Sequence, residues 1–360
     1  MGIAKNKIQA IFIISILMLF MPSDGIFKYV ITLGITYILF LPTINSKYYD
    51  EDNIYYLELF LPQIFYICYS IIIIFIKGNF EQIPFFIKES IFISLPILTA
   101  ILIVRYWGRY NLPKIFFYII SIVFFITTLK RFNTIDLLES TEAFIFGYYC
   151  IYYIVKKNFK YSIFSLIFMY LANKRIAILS FFITIFIYFF IRNKNNKMNR
   201  YIFILFIFIT FIYIKIIKDG SLTEIIHMYG INDMGRSNIY SRVNHGYEVS
   251  LFFLGNGLGW VMNELAKYNI KYAANLHNDI LKLYIETGFW GYITYMFIYS
   301  KIFKKISEKD KENGKLIFIM YIYTFILYLT DNVSIYIYYL IPFYTLIFYE
   351  IRNKALIKKK

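Results

Sequence analysis

"LHNDILKLYIETGFWGYITYMF", Leu276 to Phe297, begins as a polar loop and ends as an apolar run. It closes the longest polar stretch of the chain, about residues 218–277, and opens what reads as a membrane span. Composition supports that reading. Of 360 residues, 59% are hydrophobic and 22% aromatic, with a mean hydropathy of +0.58, too apolar for a soluble domain of this length. The net charge of +16 would suit nucleic acid, but Lys and Arg fall in short clusters between apolar runs, the distribution of membrane-flanking loops. Cys68 and Cys150 lie far apart in apolar runs and imply no disulfide framework. Met1 to Met21 lacks a small-residue cleavage site and reads as a first span, not a leader peptide.

A span needs roughly 20 apolar residues. By that measure the sequence predicts about twelve transmembrane helices, near 8–22, 26–42, 57–76, 83–104, 114–129, 135–155, 159–173, 175–191, 201–217, 278–300, 315–330 and 332–349. "LANKRIAIL" (Leu171–Leu179) reads as a tight bend or a re-entrant turn, and Thr330, Asp331 and Asn332 as the separator of the last two spans. The loops on the side of the N-terminus carry 24 Lys and Arg, and the short loops opposite carry 7. The asymmetry predicts cytoplasmic termini. Residues 218–277 then form one large extracytoplasmic loop within a single polytopic domain, 1–360, and that loop holds His227, His245 and His277.

Local signals suggest helices inside the loop. Ser221-x-x-Glu224 fits a capping box, and "GRSNIYSRV" (Gly235–Val243) offers Ser237 as an N-cap. "LGNGLGW" (Leu254–Trp260) reads as a close-packed turn or as a backbone approach to a ligand; its spacing fits no phosphate-binding loop. On a straight helix, Gly288 and Gly291 continue the face of His277, and small residues there admit a neighbouring helix. Glu286 falls half a turn away and is placed to neutralise Lys282 at i−4. The histidine separations of 18 and 32 residues resemble no metal-ligand spacing, so no metal site is expected.

His277-Asn278, nine residues, Gly288, two residues, Gly291 resembles the histidine motif of the O-antigen polymerase and ligase membrane glycosyltransferases. "ANKRIAILSFF" (Ala172–Phe182) is similar to that family's basic motif, with Arg175 as the counterpart; Lys174 and Ile176 replace its usual Ser and Gly. "GRSNIYSRV" resembles its Gly-Arg segment at Arg236, and "FLGNGLGWV" its Gly-x-Gly-x-Gly turn at Gly255, Gly257 and Gly259. The resemblance runs over about 165–349. It implies an all-α, GT-C-like fold in a bacterial inner membrane, with His277 as general base. Arg175 and Arg236 would hold the leaving diphosphate, with Arg242 and Lys174 as further cations. The implied donor and acceptor are undecaprenyl-diphosphate-linked oligosaccharides, and the further partners are membrane lipid and a chain-length regulator protein. Neither a cofactor nor nucleic acid is implied. An imidazole with an ordinary pKa of about 6.5 suits deprotonation of a hydroxyl, and the guanidinium fork suits a diphosphate. Polymerase is the preferred reading; ligase and, from another class, a lipid-linked oligosaccharide flippase are the alternatives.

Overall fold

The computed structural model describes residues 31–32, 34–36, 38, 51–108, 110–131, 140–194, 197–230, 233, 235–268 and 275–358. Among them the chain is all helical, without strands. The helices used below are α1 (Glu51–Lys77), α2 (Ile83–Trp107), α3 (Leu112–Arg131), α4 (Glu142–Val155), α5 (Phe159–Leu171), α6 (Arg175–Ile191) and α7 (Lys197–Lys218). They continue with α8 (Ser221–Met228), α9 (Arg236–Val243), α10 (Trp260–Lys267), α11 (Asp279–Lys309), α12 (Lys311–Tyr328) and α13 (Ile337–Lys358). The helical form follows from the apolar runs: in hydrocarbon each backbone N–H and C=O must find a partner within its own segment.

Three stretches are long and apolar enough to cross a membrane: Glu58–Lys77, Phe80–Trp107 and Lys197–Lys218. Four further apolar helices are shorter: Leu112–Thr128, Glu142–Val155, Phe159–Leu171 and Arg175–Ile191. The expected span 8–22 lies outside the described residues, and so does most of 26–42.

The chain divides into two compact units. The first comprises Met1–Glu58, Ile93–Phe186 and Tyr336–Lys360. In it α4 and α5 form a hairpin around Lys156–Asn158, with Lys157 in the left-handed region at φ 56°. Phe117 of α3 packs edge-on against Phe146, Tyr149 and Tyr153, while Tyr148 stacks on Tyr339 and Phe343 of α13, each at 4.6 Å. Buried Glu350 accepts hydrogen bonds from Tyr152 Oη at 2.6 Å and Lys156 Nζ at 2.5 Å. "LANKRIAIL" is a tight bend: Asn173 has φ 49°, and Ala172 O accepts from Ser140 N at 2.8 Å.

The second unit comprises Leu59–Phe92 and Ile187–Ile335. Here α11 packs against α7 and α12 through Phe203, Tyr299, Phe303, Tyr321 and Phe325. Asp310 caps α12 by accepting from the N–H of Glu312 and of Asn313. The loop between α7 and α11 does contain helices, but its caps differ from expectation. Gly220, at φ 78°, precedes α8, so Ser221 is its first helical residue and not its cap. At α9 the capping carboxylate is Asp233, which accepts from Gly235 N at 2.9 Å and Ser237 N at 2.8 Å. Sequence reasoning assigned that place to Ser237; the longer reach of the aspartate from outside the turn wins.

Candidate functional site

The largest departure from sequence lies inside α11. Gly288 has φ 69° and ψ −172°, a non-helical break that turns one expected straight span into two segments. His277, Gly288 and Gly291 therefore do not form one stripe on a straight helix. A Cβ on Gly288 would sit 2.3 Å from Phe253 O and from Leu254 C, all backbone. Gly255 is its mirror, with a Cβ position 2.5 Å from Gly288 N and from Glu286 O. Two backbones cross where neither has a side chain. The crossing is hydrogen bonded: Phe289 N donates to Phe253 O at 2.9 Å, Asn256 N to Ile285 O at 3.1 Å, and Gly257 N to Glu286 O at 2.8 Å. The break needs those outside partners because it interrupts the helix's own ladder.

The other glycines of the turn are equally confined. Gly257 (φ 86°) is pressed against Ile74 and Gln82, and Gly259 (φ 90°) against the backbone of Phe85 and Phe86. Gln82 Nε2 donates to Asn256 O at 2.9 Å, and Lys77 Nζ to Asn256 Oδ1 at 2.7 Å. The N-terminus of α10 is already occupied by a carboxyl group: Glu286 Oε1 accepts from Gly259 N at 3.0 Å and Val261 N at 3.3 Å, and Oε2 accepts from Tyr66 Oη. The close-packed-turn reading of "LGNGLGW" is the one the structure has. The pairing expected of Glu286 is also corrected: Lys282 bonds Glu89 of α2, all three being buried. Spacing of i−4 puts Lys282 near Glu286, but Glu89 approaches from the facing helix and takes its ammonium.

At the head of α11, Asn278 is fully buried and caps the helix, its Oδ1 accepting from Leu281 N at 2.9 Å. His277 just before it is left-handed, φ 53°, so its side chain leaves the helix axis. The imidazole is one-third exposed (34%), and its Nδ1 lies 3.8 Å from Oδ1 of Asp331, itself 1% exposed. Asp331 is held in place from two sides. Its own Oδ1 accepts from Asn332 N at 2.8 Å. Asp279, first residue of α11, takes two bonds from Ser334: from N at 2.7 Å and from Oγ at 2.6 Å. Those bonds fasten the Thr330–Ser334 turn over the helix mouth. Sequence reasoning treated Asp331 as a mere separator; an Asp-Asn pair inside an apolar stretch was the missed signal.

The arginines separate. Arg236 starts α9, and its charge acts on Tyr213 and Tyr240, both of which hydrogen bond Asn278; Asn278 Nδ2 lies 3.4 Å from Tyr213 Oη. Burial raises the pKa of the Tyr240 hydroxyl, while Asn278 and Arg236 pull the other way. Among the described residues no acidic side chain pairs with Arg236. Arg242 instead lies over the Tyr268 ring at 4.9 Å. Arg175 is exposed at the start of α6, and Lys174 lies 5.5 Å from the Phe144 ring, both in the first unit. His245 Nε2 faces Glu264 Oε1 at 3.4 Å, beside Trp260. The side chain of His227 lies outside the described residues.

Three helices of membrane length suggest an integral membrane protein, and its histidine, carboxylate and amide side chains gather at the head of α11. Residues 161–296 match the family model described as O-antigen ligase, a similarity in keeping with the resemblance of the histidine, arginine and glycine motifs. No curated protein and no solved structure matches the chain. The matched segment holds Arg175, Arg236, the glycine turn, His277, Gly288 and Gly291, and ends before Asp331.

Proposed function

We propose that this chain is a Wzy-type polysaccharide polymerase, transferring a growing O-antigen or capsule glycan from undecaprenyl diphosphate onto a lipid-linked repeat unit. The observation that carries this reading is His277 at the mouth of α11 with buried Asp331 3.8 Å behind it. In the scheme, Nδ1 of His277 faces Asp331 and Nε2 takes the proton of the acceptor hydroxyl. Asp331 orients the ring and stabilises the imidazolium that forms. The hydroxyl oxygen bonds to the anomeric carbon, and the bond from that carbon to the diphosphate oxygen breaks with its electron pair. The departing diphosphate gains negative charge, which Arg236 is best supported to meet; Arg175 and Arg242 are further candidates. The scheme requires no metal. About twelve spans in a GT-C-like arrangement, cytoplasmic termini, an inner-membrane location and a chain-length regulator as partner belong to the same proposal.

Ligase is the second reading, favoured by the description of the matched family model. The host carrying His277→Ala tests both, with surface and lipid-linked glycans separated by size. Loss of the long ladder, with single repeat units left on the lipid, supports polymerase. A full ladder stranded on the carrier supports ligase. Repeat units trapped on the cytoplasmic side point to a flippase, and an unchanged profile in a strain whose variant is present in the membrane overturns the scheme.

A further inference from the structure

The loop 218–277 is expected in water, yet part of it lies against the membrane-length stretch Glu58–Lys77 and the break in α11. Phe253 and Leu254 touch the break at Gly288, and Leu254 O accepts from Tyr69 Oη at 3.2 Å. Depth follows from counting turns. Tyr69 is 8 residues below Lys77, the charged end of its span, or about 12 Å. That count places Leu254 about 10 Å inside the bilayer.

Two independent features fit that depth. The side chains displayed there are apolar: Phe252 is 89% exposed and Leu251 54%, with Leu254 also exposed. A water-facing loop has no reason to present "VSLFFL" (Val249–Leu254) outward. The backbone is also partnered as hydrocarbon demands. Phe253 N donates to Ser250 O, Phe252 N to Ser250 Oγ, and the carbonyls of Phe253, Leu254 and Asn256 accept from Phe289, Tyr69 and Gln82. Irregular backbone survives at membrane depth only when protein satisfies it.

We propose that Ser250–Gly259 is a re-entrant segment dipping into the leaflet on the His277 side, where Leu251, Phe252 and Leu254 contact phospholipid acyl chains. The inference rests on the membrane reading of the chain, not on the transferase scheme.

The test uses the full chain in phosphatidylcholine vesicles brominated on their acyl chains, in a background with Cys68→Ala and Cys150→Ala. Phe252→Cys disturbs no packing, since that ring is exposed; Ser241→Cys, at an exposed position of α9, is the control. In vesicles Phe252→Cys should lose labelling by a membrane-impermeant maleimide and regain it in detergent. A bimane attached there should be quenched by the lipid bromines. Ser241→Cys should label in both settings and escape quenching. Labelling of Phe252→Cys in vesicles as fast as the control, or protection that persists in detergent, overturns the proposal. Neither readout needs enzymatic activity, so this inference and the proposed function fail separately.

Discussion

Replacing Gly288 with Ala tests the crossing that organises the site. The residue sits at φ 69°, ψ −172°, a region open essentially to glycine alone, so an alanine there carries about 1–3 kcal/mol of backbone strain. Its Cβ would also lie 2.3–2.4 Å from Phe253 O, Leu254 C and Gly255 N. None of these is a side chain that can swing aside, and forcing them apart adds about 1–3 kcal/mol. The expected loss is about 2–6 kcal/mol, the sum of strain and overlap. Gly291→Ala is the internal control. Its Cβ would meet the Thr287 Cβ and the Tyr69 ring at 2.8 Å, a crowding of about 1–3 kcal/mol, but its backbone is helical, so the strain is absent and about 1 kcal/mol of helix propensity is gained. Thermal unfolding of the purified protein in detergent, followed by the fluorescence of its three tryptophans, separates the two. Gly288→Ala should melt well below the parent and Gly291→Ala between the two. Equal losses at both positions, as a straight helix with one small-residue stripe would give, refute the reasoning.

Asp331→Asn keeps an acceptor for the Asn332 N–H but removes the charge facing His277. Glycan transfer should fall about 10²–10⁴-fold with the melting temperature unchanged; a melting temperature that falls along with activity would make Asp331 merely structural. Lys282→Met leaves Glu89 buried without its cation and should cost about 3–5 kcal/mol, whereas Lys282→Met with Glu89→Leu should recover most of it. Melting of the single and double variants measures the coupling.

The helices were legible because hydropathy is a local property. Apolar runs of membrane length have few backbone solutions, and the helices from Glu51 onward fall where the runs do. The bend at Ala172–Lys174 was legible for a similar reason, as a short polar interruption. Gly288 was not: a glycine that spaces two helices and one that breaks its own helix look alike in sequence. Only the approach of Phe253–Gly257, from thirty residues upstream, decides between them. Glu286 shows the same limit. Its nearest sequence partner was Lys282, but its carboxylate is claimed by Tyr66, 220 residues away, and by two amides of the glycine turn. His277 could be singled out by motif, whereas Asp331 could be found only by its distance.

The break at Gly288 also divides the mechanical duties of α11. Its nine residues from Asp279 to Thr287 are tied by Asp279–Ser334, Lys282–Glu89 and Glu286–Tyr66 to their surroundings. The remainder, from Phe289 to Lys309, resumes as a separate helical segment and packs against α7 and α12. An unbroken helix would have to satisfy both sets of neighbours with one axis direction. The same glycine that costs the helix its continuity thus lets the segment behind the imidazole take its direction from its own anchors.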